Sequence, residues 1–292
     1  MKSQMEYYSF NRYLRNRFGC KVYKISINGG FTCPNRDGTC GTRGCIFCSA
    51  GGSGDFAEDP RLSVTQQIEK GKLRVQNKIK SGKYIAYFQA FTNTYAPVEV
   101  LRKKFTEAIE HPDIVMLSVA TRPDCLPDDV IDLLAQLNTI KPVSVELGLQ
   151  TIHQKSADYI RRGYNLACFD DAVCRLKEAG LEVVCHIILG LPGESKSDML
   201  QSVDYACKSG INGIKLQLLH VLKNTDLEKE YRAGKFKTLT FEEYLDIIKS
   251  CVKIIPKEIV IHRLTGDGAK KDLIAPLWSA DKKKVLNAIS KL

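Results

Sequence analysis

The sequence lacks several common signatures, and each absence removes a class of protein. No run of about 18 uncharged apolar residues occurs in the 292 positions, which argues against a membrane span. The N-terminus, MKSQMEYYSFNRYLRNRF, carries charges and aromatics where a secretory signal needs an apolar stretch, so a cytoplasmic protein is expected. There is no Gly-x4-Gly-Lys-Ser/Thr phosphate loop. GSGDFA at 52–57 does match Gly-x-Gly-x-x-Ala, but it follows a cysteine-rich loop rather than a strand, so no dinucleotide site is expected there. Linkers, low-complexity tracts and shifts of composition are missing as well. A single domain over 1–292 is the simplest organisation.

What is present is an ordinary globular composition, 44% hydrophobic and 26% charged, with a basic surplus. Lys and Arg number 43 against 33 Asp and Glu, a formal net charge of +10. That balance suits a polyanionic or acidic partner, and equally a merely soluble basic surface. Eleven cysteines are no secreted disulfide framework. Seven are scattered, mostly within predicted strands or helices, and read as small buried hydrophobes.

Apolar, β-branched runs recur along the chain at 21–28, 84–91, 114–121, 143–150, 182–190, 213–221 and 258–265, with helix-period segments between most of them. Such alternation predicts a parallel sheet covered by helices. The fold class is α/β: a partial (β/α) barrel of six or seven parallel strands, with an open doubly wound sheet as the alternative. A short helix is expected at about 6–18 and a basic one at about 280–292. In a barrel the chemistry belongs at the C-terminal strand ends. There the polar, glycine-rich segments gather: the cysteine loop, TNTYAP, TRPD, QT, GLPGE and KNTD.

The stretch TCPNRDGTCGTRGCIFCSAGGSGDF, residues 32–56, holds four cysteines and six glycines. Its spacing is Cys33-x6-Cys40-x4-Cys45-x2-Cys48. Disulfides, a zinc site and an iron–sulfur cluster compete for it. All-cysteine zinc sites usually use two short Cys-x2-Cys knuckles, and only one is here. A cubane cluster held by three cysteines needs one close pair and a third ligand on a flexible arm, and Gly38, Gly41 and Gly44 let the loop wrap.

With Phe47 just before the last cysteine, this loop resembles that of the radical S-adenosylmethionine (SAM) superfamily. Its wide first gap is similar to the branch of the Elongator catalytic subunit. CPNRDGT, FQAFTNTYAP, ELGLQT and HRLTGDG resemble the small YhcC/YtqA-type proteins of that branch over about 6–290. The resemblance implies a [4Fe–4S] cluster on Cys33, Cys45 and Cys48, with Cys40 spare; Cys40, Cys45 and Cys48 are the rival set. It implies SAM on the open iron, cleaved to a 5′-deoxyadenosyl radical, and a reductant protein such as flavodoxin or ferredoxin.

By the same resemblance Glu146, Gln150 and Arg162 face the cofactor, Arg162 toward the methionine carboxylate, with adjacent Arg161 able to swap roles. The turn at Gly190 and Gly193 would contact adenine and His186 the ribose; Gln217 and His220 are further candidates of that kind. A salt-bridged Glu146 and a satisfied His186 are the bland alternatives. The usual Gly-Gly-Glu after the second strand is replaced by QAFTNTY. The Elongator subunit's acetyltransferase module has no counterpart expected in a chain ending at 292.

The branch's association with tRNA modification and the basic charge make tRNA the expected substrate class. Arg36, Arg43, Arg122 and Arg161 would line the approach, and Lys282, Lys283 and Lys284 an outer contact. The rivals are a radical SAM enzyme acting on a small molecule or peptide, and a zinc-stapled RNA-binding module without catalysis.

Overall fold

The computed structural model describes residues 7–52, 54, 56–79, 82–266, 268 and 270–292. In chain order the first half holds α1 (Phe10–Phe18), β1 (Tyr23–Ile27), α2 (Val64–Val75), β2 (Tyr84–Phe88), α3 (Val98–Glu110), β3 (Ile114–Thr121), α4 (Asp128–Asn138) and β4 (Val143–Gln150). The second half holds α5 (Gln154–Tyr159), α6 (Leu166–Glu178), β5 (Glu182–Leu189), α7 (Lys196–Lys208), β6 (Gly213–Leu218), β7 (Val221–Leu222), α8 (Asp226–Arg232), α9 (Phe241–Ile254), β8 (Val260–Arg263), β9 (Leu273–Ala275) and α10 (Lys282–Ile289). Seven strands pair in parallel in the order β1-β2-β3-β4-β5-β6-β8. The sheet is curled, and β8 and β1 do not pair, so the barrel is partial.

The expected elements appear with narrower ends. The seventh strand shortens to Val260–Arg263, the N-terminal helix to Phe10–Phe18 and the C-terminal helix to Lys282–Ile289. The beginning of the expected N-terminal helix, at residue 6, lies outside the described residues. Helix starts follow side-chain caps: Ser63 and Thr240 each close a capping box, with Gln66 and Glu243 three residues on. The antiparallel pair β7–β9 is an addition that the strand pattern did not announce.

Alternation along the strands sets the two faces of the sheet apart. Ile25, Phe88, Val119, Val145, Ile187 and Leu216 point outward and join Leu101, Phe105, Leu134, Phe169, Val203 and Ile248 of the surrounding helices in one core. The inward face carries Tyr87, Ser118, Glu146, His186, Lys215 and Gln217 instead. Beneath them α1 plugs the barrel, where Leu14 packs with Val22, Ile85 and Met116. Tyr13 and Arg17 of α1 also hydrogen-bond to Glu182 at the start of β5.

Candidate functional site

The thiol loop leaves the C-terminal end of β1 and is shaped by its own backbone. Amide-to-carbonyl bonds run from Arg36 to Cys33 (2.8 Å), Cys40 to Pro34 (2.8 Å), Gly44 to Asn35 (2.6 Å) and Cys48 to Cys45 (3.0 Å). Gly44 has φ 71°, and a Cβ there would press on the Arg36 guanidinium at 3.0 Å. Asn35 is buried and clamps the loop: its Nδ2 donates to the Arg161 carbonyl (2.7 Å) and lies 3.5 Å from the Cys45 sulfur.

Cys33, Cys45 and Cys48 line one cavity together with Phe47, whereas Cys40 is exposed and absent from the lining. Burial, reinforced by the neighbouring Cys48, pushes the Cys45 thiol up to about 11, while the Asn35 amide pulls the other way. A tetrahedral zinc site holds its sulfurs at about 2.3 Å from one ion, hence close to each other. Among the described residues the triple with ligand atoms within 4.8 Å of one another is Glu69, His111 and Asp113, not these thiols. Lys72 already fills that triple, donating to Glu69 (2.9 Å) and Asp113 (2.5 Å), so a cation of the protein's own stands where a metal would.

Deeper in the barrel the cavity meets a charged floor. Glu146 is 1% exposed and accepts from Lys24 Nζ (2.5 Å), Ser118 Oγ (2.8 Å), His186 Nε2 (2.8 Å) and Lys215 Nζ. Desolvation alone would raise its pKa, but Lys215 and Lys24 outweigh burial and hold the carboxyl well below its usual range. Burial, with Lys215 alongside, pushes the His186 imidazole down to about 4 and keeps it neutral. Its Nδ1 faces the Gln217 amide at 3.4 Å. Glu146, His186 and Gln217 thus line the cavity as expected positions, yet the first two spend their polar atoms on the floor network.

Arg162 lies in the same wall and is 2% exposed. Its Nε donates to the Tyr164 carbonyl (3.0 Å) and Nη1 to those of Leu149 (3.1 Å) and Thr151 (2.6 Å), while Nη2 is buried without a partner. A bidentate fork is therefore not free; one N–H group is. Arg161, at φ 59°, turns away to Asp226 (2.9 Å) and does not line the cavity. Gln150 lines it with a left-handed backbone (φ 68°) at a register slip of β4.

Gly190 is not brought there: its N–H points to the Met199 sulfur, and a Cβ would strike Leu239 at 2.9 Å. His220 does line the cavity, against Gly268. Of the arginines expected to meet RNA, Arg122 is held by Asp124 (2.6 Å) and Arg161 by Asp226. Arg36 spends Nη2 on the carbonyls of Cys48 and Ser49. Arg43 lies 3.9 Å from Asp226.

Sequence reasoning missed Asn35, Lys24, Tyr87 and Lys215. The signal for Lys215 was available: a lysine inside the apolar strand GIKLQLLHV is as anomalous as Glu146 in its own strand.

The model of the radical SAM superfamily matches residues 36–206, and that of the Radical_SAM C-terminal domain matches 211–292. The chain belongs to the radical SAM superfamily. It is an enzyme of that class, and its cofactors are a [4Fe–4S] cluster and SAM. This overturns the zinc-stapled, non-catalytic alternative. YtqA of Bacillus subtilis is 47% identical over 289 residues, covering 99% of this chain and 90% of that protein. The tRNA uridine(34) acetyltransferase of Methanocaldococcus jannaschii is 29% identical over 168 residues, 56% of this chain and 30% of that one. Among solved structures, Methanocaldococcus infernus Elp3 with an N-terminal deletion superposes with a TM-score of 0.66 at 18% identity. That match covers 92% of this chain and 63% of the longer one. The fold is shared at that level.

The residues present fit such cofactors: three thiols open onto one cavity, and beside them Arg162 holds out a buried N–H with no partner. No helix among the described residues is long and apolar enough to cross a membrane.

Proposed function

We propose that Cys33, Cys45 and Cys48 hold the cluster, with Cys40 spare, and that the enzyme modifies tRNA. When bound, the cluster supplies an electron to the SAM sulfonium and so a 5′-deoxyadenosyl radical. The protein's part is to hold the thiolates with the Asn35-clamped loop, to meet the SAM carboxylate with the Arg162 Nη2, and to exclude water. A one-electron donor, a flavodoxin or ferredoxin, completes the reaction.

The observation that carries the RNA reading is the 168-residue similarity to a tRNA-modifying relative, joined by the distribution of charge. Residues 36–206 hold 20 Lys and Arg against 22 Asp and Glu, so this stretch is slightly acidic. Residues 211–292 hold 16 against 10. With the loop-end arginines tied to carboxylates and carbonyls, the footprint moves to exposed lysines of this second stretch: Lys237, Lys270, Lys271, Lys282, Lys283 and Lys284.

Neutralising phosphates releases condensed counterions, so tRNA binding should weaken steeply with salt. Changing Lys282, Lys283 and Lys284 together to Gln should lower the log–log slope by roughly one unit per contact removed. A slope near zero in the wild type sinks the nucleic-acid reading and promotes a small-molecule or peptide substrate. Mass spectrometry of tRNA nucleosides from a deletion strain and its parent then identifies the modification.

A further inference from the structure

On the thiol side of the cavity Arg122 is paired with Asp124, Arg36 and Arg162 donate to backbone carbonyls, and the one buried group they leave over, Arg162 Nη2, is already assigned to the SAM carboxylate. The floor is different. Glu146 is supplied with a counter-charge by Lys24 and with further donors by Ser118 and His186. Lys215 is a second ammonium on the same carboxylate, and it is 2% exposed. Burial of a charged amine is costly unless it is compensated, and Glu146 does not need Lys215 to be satisfied. An apolar side chain at 215 would have packed at less cost. Lys215 therefore needs a reason, and its position offers one.

Lys215 lines the cavity, where its Nζ also donates to the Tyr87 hydroxyl (3.1 Å). Two residues along the same wall from Tyr87, Gln89 has a fully buried Nε2 with no hydrogen-bond partner. A buried donor left unmade is expensive, so this one also points to an acceptor that arrives from outside. Among the described residues lining the cavity five are Arg or Lys, and Glu146 is the one acid.

We infer that the floor around Lys215 is a binding subsite for the anionic group, a carboxylate or a phosphate, of a small-molecule substrate. The floor is enclosed by the strands and plugged from below by α1, and the whole cavity above it, shared with the thiols and Arg162, is about 280 Å³. A phosphodiester chain does not enter such a space; a small acid does. The inference goes beyond the tRNA reading and stands whether or not RNA is the other substrate.

The test uses the cluster-loaded chain with SAM, titrated separately with 13C-acetate and with inorganic phosphate. Binding is followed by NMR line broadening at fixed ionic strength, and the two probes distinguish carboxylate from phosphate. At least one anion should bind at one site per chain. Lys215→Met should weaken it tenfold or more while SAM affinity moves less than twofold, and Lys215→Arg should keep it within threefold. Gln89→Leu should weaken it three- to tenfold and decides the matter if Lys215→Met does not fold. Absence of binding for both anions in the wild type, or equal binding in folded Lys215→Met, overturns the inference.

Discussion

Residues 32–52 hold their shape with backbone hydrogen bonds and glycines, while the barrel floor on the far side of the same cavity is made of side chains fixed on strands. In the loop the reactive groups are left open: Cys33, Cys45 and Cys48 border the cavity, and the polar work is done by Asn35 and amides behind them. On the floor Glu146 has four donors and no accessible edge. The difference teaches how one cavity can be built in two ways. Irregular backbone presents thiols for a ligand to complete, whereas the strand-borne network satisfies its carboxylate internally and leaves Lys215 and the unpartnered Gln89 amide on the cavity wall.

The sharpest way to break this comparison is at the thiols. Cys33→Ala, Cys45→Ala and Cys48→Ala should each abolish the binding of about four irons per chain on anaerobic reconstitution, measured by iron assay and the visible band. Cys40→Ala should retain it. Loss in Cys40→Ala with retention in Cys33→Ala would exchange the two in the ligand set.

Next in size is the floor. Glu146→Gln leaves the buried Lys215 amine and the part-buried Lys24 amine without their carboxylate and should lower stability by about 3–5 kcal/mol in urea melts. Cys40→Ala, on the loop, should cost less than about 1 kcal/mol. A Glu146→Gln midpoint equal to the wild type would remove the network from the account of stability.

A third effect is acid sensitivity. An unfolded imidazole titrates near 6.5, and His186 in the folded chain is pushed down to about 4. The unfolded chain therefore takes up the proton first. Stability is present above about pH 6.5 and is lost as pH falls toward 4, by about 3 kcal/mol for this group. The depressed Glu146 carboxyl acts in the same direction at the acid end. Melts at several pH values should show the slope, and His186→Gln should flatten it; an identical slope in that variant would assign the acid sensitivity elsewhere.

Smaller again is the contribution of Arg162 to SAM. Arg162→Ala would also strand three backbone carbonyls, so Arg162→Lys is the cleaner change. It should weaken SAM binding by about 1.5–3 kcal/mol, the scale of a charged hydrogen bond, in equilibrium titration. An unchanged affinity would leave Arg162 as a brace for the turn after β4.

Much of this molecule was legible in one dimension. Seven apolar runs with helix-period segments between most of them specify a parallel sheet, because each strand must be buried on its outer face and each crossover needs a helix. The thiol loop was equally legible, since its cysteines lie within 16 residues and their grouping is a local property of the chain. Gly190 shows the limit. A glycine in a turn at a strand end reads as close approach to a ligand, but here the approach is to Leu239, half a hundred residues on. Arg122 and Arg161 likewise read as cations lining the approach to the cluster until Asp124 and Asp226 are seen to hold them.

By itself, then, the sequence determined a parallel sheet of six or seven strands and the position of the loop, set by periodicity and by spacing within short segments, and its motifs resembled one family closely enough to name it. Only the tertiary structure decided which cysteine stands outside the cavity, and that Lys24, Tyr87, Ser118, Glu146, His186 and Lys215 form one network. Those six residues come from six strands. Their meeting is fixed by the curl and register of the sheet, and no local spacing encodes a contact between Lys24 and Glu146.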